Sequence, residues 1–237
     1  DGWLAFTSSW ESNPILLSAG SSITVLLRWD DSWGSASSDL DLYLDDGLVL
    51  LDVGNDVQDG GAGQDPYEII TYNVLSTGWY YLRVKHTAGG PPGWFQLDVW
   101  TQQDLSVSVL DHSIGNPGDS SSPGMLTVGA ADWATPRTIE SFSSRGPTTD
   151  ERIKPDIVGA DRGDSVSMGV NGFSGTSQAS PHVAGLATLV LERYPEYTPE
   201  QVAYYLKNNA LGVDTVPNNT WGYGLAQMPL FEPTAPR

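Results

Sequence analysis

Gly175-Thr176-Ser177-Gln178-Ala179-Ser180-Pro181-His182-Val183-Ala184-Gly185 reads as a tight turn that delivers a serine to the start of a helix. Gly175 permits a backbone path closed to residues with a Cβ. Thr176 or Ser174 is placed to cap the first helical turn. Ser177 then falls among free backbone N–H groups, where the helix dipole favours negative charge. A nucleophile that generates an oxyanion belongs at such a place. The residues that follow, Val183, Ala184, Leu186, Ala187, Leu189, Val190 and Leu191, are apolar nearly all round. That pattern predicts a central, buried helix.

The eleven residues resemble, without a gap, the active-site serine motif of the subtilisin-like serine proteases. The resemblance implies that Ser177 is the acylated nucleophile and that its own N–H is one oxyanion donor, with Gly175 and Thr176 as supporting residues of the motif. Pro181 and His182 are implied as structural members. His182 lies five residues after the serine on the same helix, whereas the family's general base comes from elsewhere, so His182 is expected to be a packed, structural histidine.

Composition bounds the rest. The 237 residues suffice for one large or two modest domains. A formal charge of −18 argues against nucleic acid, whose phosphates attract Lys and Arg, and against anionic membrane surfaces. The absence of cysteine removes disulfides and thiolate chemistry without fixing a compartment. Few lysines, with many Asp, Gly, Ser and Trp, fit an exported protein in a calcium-rich or saline setting. Neither a signal peptide nor a long apolar run is evident, and the chain starts at Asp1. Two readings are open at this point: a signal and more removed from the start, or a piece of a longer polypeptide.

Residues 1–104 read as β structure. Strands are expected at Ile23–Trp29, Leu40–Leu44, Leu48–Val53, Tyr67–Tyr72, Trp79–Lys85 and Trp94–Trp100, separated by turn clusters such as Asp45-Asp46-Gly47 and Gly89-Gly90-Pro91-Pro92-Gly93. In Trp79–Lys85, Tyr80, Leu82 and Val84 alternate with Tyr81, Arg83 and Lys85. Short strands and regular turns without a helical stretch predict an antiparallel β-sandwich. Asp39-Leu40-Asp41-Leu42-Tyr43-Leu44 and Gly78-Trp79-Tyr80-Tyr81-Leu82-Arg83-Val84 resemble the small pre-peptidase-like sandwich domains that accompany secreted peptidases. In one subtilisin-like branch such a domain is inserted in the catalytic domain, and Arg28 to Gly34 fits that branch. Charge is uneven, with three basic against fifteen acidic residues through Asp104 and eight against fourteen beyond it.

Asp30, Asp31, Asp39 and Asp41 cluster around one expected loop. They read either as a structural calcium site, since hard cations take several oxygen ligands, or as a solvated acidic loop in an acidic protein. Asp1-Gly2 is compatible with the tail of a calcium loop, too short a stretch to carry that reading. Trp3, Trp10, Trp29, Trp33, Trp79, Trp94 and Trp100 read mostly as sandwich core, with a sugar- or peptide-binding face as the other reading.

From Leu105 the character changes. Met125-Leu126-Thr127-Val128-Gly129-Ala130 is a short apolar strand of the kind covered on both faces in a parallel sheet. Ile139–Phe142, Ser143-Ser144-Arg145-Gly146-Pro147 and Lys154-Pro155-Asp156-Ile157-Val158 follow in the order the subtilisin-like family has them. The resemblance thus covers roughly residues 110–230 and implies an α/β parallel-sheet domain, its C-terminal part, over 105–237. Gly159-Ala160-Asp161 departs from the family's usual Ala-Pro-Gly turn and is expected to be a loop change without catalytic meaning. Thr198-Pro199-Glu200-Gln201 predicts a capped helix with Val202, Tyr205 and Leu206 on its apolar face. Trp221-Gly222-Tyr223-Gly224-Leu225 resembles the family's closing turn, Asn218-Asn219-Thr220 fits a glycosylation sequon, and Pro229–Arg237 is expected to be extended.

The resemblance requires a general-base His, an orienting carboxylate and an oxyanion Asn. His86, His112 and His182 do not fit the family's His-Gly-Thr pattern, and no Asp fits its Asp-Ser/Thr-Gly pattern. Asn116 is expected in a loop near the specificity pocket rather than as the oxyanion donor, and His112 is not expected to replace the base. All three groups are expected upstream of this chain, which alone would be inactive. The expected partners are a protein or peptide substrate and the N-terminal half of the same protease, and no cofactor is required for the chemistry. The competing reading is a protease-derived structural or binding subunit of an extracellular assembly that lacks a complete triad.

Overall fold

The computed structural model describes residues 2–101, 103, 105–135 and 138–229. Asp1, Asp104 at the expected domain boundary and residues 230–237 of the expected extended tail lie outside them. The chain divides into two compact units, Asp1–Ser108 and Val109–Arg237.

The first unit has seven strands: β1 (Asn13–Leu17), β2 (Ser22–Trp29), β3 (Asp39–Asp45), β4 (Leu50–Gly54), β5 (Tyr67–Asn73), β6 (Gly78–Ala88) and β7 (Phe95–Trp100). They form two antiparallel sheets, ordered β1-β6-β3-β4 and β5-β2-β7. The sheets share one core. Ile15, Leu17, Leu40, Leu42, Leu44, Tyr80, Leu82 and Val84 come from the first, and Ile23, Val25, Leu27, Trp29 and Ile70 from the second. Period-two alternation produces this, because every second side chain of β2 and β6 points inward.

Strand β1 was not expected. It contains Pro14, which removes a donor, and it is tolerated because β1 is an edge strand. β4 starts two residues later than expected. The Asp46 carboxylate accepts the N–H groups of Leu48 and Val49, which holds them in a turn. The tryptophans are the larger correction. Trp29 is buried, its Nε1 donating to Ser38 O, but Trp10, Trp33, Trp79, Trp94 and Trp100 are exposed. Aliphatic residues with Trp29 and Tyr80 fill the interior of this small unit, and these five indoles stay outside.

In the second unit β8 (Val128–Asp132) pairs in parallel with β9 (Ile157–Asp161). A hairpin of β10 (Gly163–Ser165) and β11 (Gly169–Phe173) leads into helix α1 (Thr176–Arg193), and α2 (Pro199–Asn208) follows. Met125, Leu126 and Thr127, expected in the strand, precede it. Ile157, Val183, Val190, Val202 and Leu206 form one core cluster, and Ala131, Val158, Val213 and Trp221 another. The expected box at α2 forms, with Thr198 and Gln201 capping each other's backbone. Asn218 of the sequon turns inward to its own chain, accepting from Thr220 N and Trp221 N.

Two expectations fail here. Gly159-Ala160-Asp161 is the end of β9, not a loop. A Cβ on Gly159 would sit 2.4 Å from Ala179 O, so glycine is what lets α1 lie directly on the strand. Nor is α1 buried all round. Gln178, Ala179, Val183 and Val190 are buried, while Leu189 and Leu191 are 49% and 41% exposed. The two-stranded sheet and α2 cover only part of an apolar helix.

Candidate active site

Ser177 is the second residue of α1 and is exposed. Gly175 is the N-cap residue, at φ 130° and ψ 163°, a conformation that favours glycine. It turns the chain from β11 into the helix. No side chain caps α1. Ser174, expected as a cap, instead donates its Oγ to Asp161 Oδ2 at 2.9 Å, and Gly175 N donates to Asp161 Oδ1 at 2.9 Å. The first helical amides to bond are those of Gln178 and Ala179, both to Gly175 O. Among the described residues, neither the amide nor the hydroxyl of Ser177 has a hydrogen-bond partner. Pro181 lies four residues on and has no N–H to offer Ser177 O.

The surrounding residues are held from the end of β9 and the start of β10. His182 Nδ1 bonds Ala160 O at 2.7 Å, and Gly163 N donates to Gln178 Oε1 at 2.9 Å. His182 is thus tied to the strand, but it is exposed rather than packed. An exposed serine with an open backbone amide at a helix N-terminus offers a nucleophile and one oxyanion donor in the same residue.

The other expected residues are elsewhere. His112 and Asn116 are exposed, and His86 lies on β6 in the first unit. Among the described residues no hydrogen bond joins any histidine to Ser177. The four aspartates of the calcium reading are engaged separately. Asp30 accepts from Gly93 N and Trp94 N. Asp31 accepts from the N–H groups of Ser32, Ser37 and Ser38, and that of Ser38 contributes most to holding its pKa below the usual range. Asp39 accepts from Gln58 N, and Asp41 from Tyr43 Oη. Burial raises the pKa of Asp41. Among the described residues no three His, Cys, Asp or Glu side chains are grouped to hold a metal ion. Asp161 is the site residue that sequence reading missed. Its signal was present as the departure from the family's turn, but its contact with residues 13 and 14 positions later exists only in the fold.

Comparison with known proteins bears on the same segment. The model of the subtilase family matches residues 102–224, more than half of the chain. The chain belongs to the subtilase family, and the matched segment includes Gly175–Gly185. Serine protease AprX of Bacillus subtilis is 32% identical over 174 residues, covering 61% of this chain and 38% of that protein. Subtilisin of Bacillus pumilus is 32% identical over 139 residues, 54% of this chain and 48% of its own length. Subtilisin-like protease SBT6.1 of Arabidopsis thaliana is 41% identical over 93 residues, 35% of this chain and 9% of its own. The chain therefore spans less than half the length of these relatives. Among the described residues no helix is long and apolar enough to cross a membrane.

Proposed function

We propose that this chain is the C-terminal portion of an exported subtilisin-like serine endopeptidase in which Ser177 is the acylated nucleophile. The observation that carries the reading is the state of Ser177: exposed at the start of α1, behind a glycine turn, with hydroxyl and amide both unengaged among the described residues. In the proposed mechanism a histidine upstream of this chain removes the Oγ proton as Oγ attacks the scissile carbonyl. An aspartate, also upstream, orients that histidine. The Ser177 N–H and an upstream asparagine receive the oxyanion, the amine departs with the proton, and water hydrolyses the acyl-enzyme by the same steps reversed.

The bare face of α1 supports an upstream partner. Gly124, Leu126, Val183, Ala187, Leu191 and Tyr197 line an open apolar groove of about 380 Å³, a surface suited to the remainder of a parallel-sheet domain. We assign residues 1–104 to a pre-peptidase-like insert and 105–237 to the catalytic domain. No calcium ion enters the proposal. The second reading, a protease-derived subunit without turnover, is favoured by the absence of any histidine bonded to Ser177 among the described residues.

Labelling the full-length native protein with a fluorophosphonate, with Ser177→Ala as control, separates the two. The reagent reacts with serines activated by a base and an oxyanion hole. Labelling that disappears in the variant is expected. Folded protein that takes no label would overturn the enzyme reading in favour of the subunit.

A further inference from the structure

The end of β9 and the start of β10 grip α1 on both sides of Ser177 and leave Ser177 itself free. Gly159 lies against Ala179 O, Ala160 O bonds His182, Asp161 bonds Ser174 and Gly175, and Gly163 N bonds Gln178. Of these contacts only Asp161 brings a charge, and its side chain acts on the turn that sets the direction of Ser177. We propose that Asp161 is a positioning residue for the nucleophile: its carboxylate fixes the Ser174–Gly175 peptide so that the Ser177 hydroxyl and amide keep one geometry. The inference rests on the assignment of Ser177 above.

The physical case has three parts. Asp161 is fully buried, with 0% exposure, so its carboxylate depends on protein donors. It has one for each oxygen, on two consecutive residues, both at 2.9 Å. Bonds to a carboxylate are stronger than neutral ones, and two of them fix orientation as well as distance. Second, the carboxylate stands on a strand end that is itself held. Asp161 pairs with Asp132 in the parallel register, and Asp161 O accepts from Trp133 N. Third, the residue it holds is the one with most freedom to lose. Glycine has no side chain to restrict it, and Gly175 adopts φ 130° without a side-chain cap on the helix it opens. Without Asp161 the turn keeps its residues but loses the group that selects this conformation.

The role predicts a loss in the acylation step rather than in substrate binding. In the full-length protein, Asp161→Ala is expected to lower kcat about tenfold or more, since small misplacements of a reacting group are costly, while KM changes by about twofold or less. Asp161→Asn retains Oδ1 as acceptor for Gly175 N and is expected to recover most of that loss. Ser174→Ala, which removes one bond, should fall between wild type and Asp161→Ala. Hydrogen exchange at the Gly175 amide should accelerate in Asp161→Ala and much less in Asp161→Asn. A folded Asp161→Ala protein with wild-type kcat would overturn the inference. So would losses of kcat that merely track thermal stability across the three variants, or an unchanged Gly175 amide. If wild type itself takes no fluorophosphonate, the assignment of Ser177 fails, and amide exchange still decides whether Asp161 holds the turn. Should Asp161→Ala not fold, the other two variants carry the test.

Discussion

Glu68 illustrates how a single side chain sets a property of the first unit. It is buried, accepts from Gln58 Nε2, and lies near Asp56 and Asp41. Burial, aided by those charges, raises its pKa from 4.5 to about 7. A carboxyl raised in the folded state binds more protons folded than unfolded between those values, so stability falls as pH rises through that window. We expect the melting temperature of the first unit to drop as pH rises from 4.5 to about 7. Glu68→Gln should flatten the drop and leave the protein more stable near neutrality. A wild-type profile as flat as the variant's would refute the assignment. Ser177 was legible at this scale because its neighbours announce it: a glycine, small residues and a helix start in one contiguous string. Asp161 was not, because a carboxylate in a short departure from a motif carries no mark of the turn it will meet.

At the scale of elements, the contact of α1 with β9 depends on one missing side chain. Gly159→Ala would place a methyl group 2.4 Å from Ala179 O, a backbone atom that cannot swing aside. The helix must shift, at a cost of about 1–3 kcal/mol. Because Ser177 rides on that helix, acylation should slow together with the fall in stability. Thermal melting and fluorophosphonate labelling of the same sample check both, and a variant unchanged in either would show that α1 has slack on the strand. Most elements were predictable. Period-two alternation marked β6, a run of apolar and β-branched residues marked β2, and the Thr198–Gln201 box marked α2. The misses have local causes. Pro14 hid an edge strand, and Asp46 turned Leu48 and Val49 out of the strand their apolar character predicted.

The whole chain presents an apolar helix that its own described residues only half cover. Leu189 and Leu191 are exposed on α1, and Val166, Met168 and Val170 on the adjoining hairpin. Produced alone, the chain is expected to bind the dye ANS and to self-associate despite its −18 charge. Co-production with the upstream part of the protease should suppress both. Dye fluorescence and size-exclusion chromatography give the readout, and a monomeric chain silent to the dye would contradict the proposed partner.

The sequence by itself determined the family, the position of Ser177, the β character of the first hundred residues and the cap of α2. Each is written in contiguous residues or in a short period, and local stereochemistry suffices to decode it. Only the tertiary structure decided that Gly159-Ala160-Asp161 ends a strand, that Asp161 reaches the serine turn, that five of the first unit's indoles lie exposed while Trp29 is buried, and that α1 keeps an open face. Those outcomes depend on which distant segments meet. A carboxylate, an indole or an apolar helix face takes its role from the group opposite it, and chain order does not name that group.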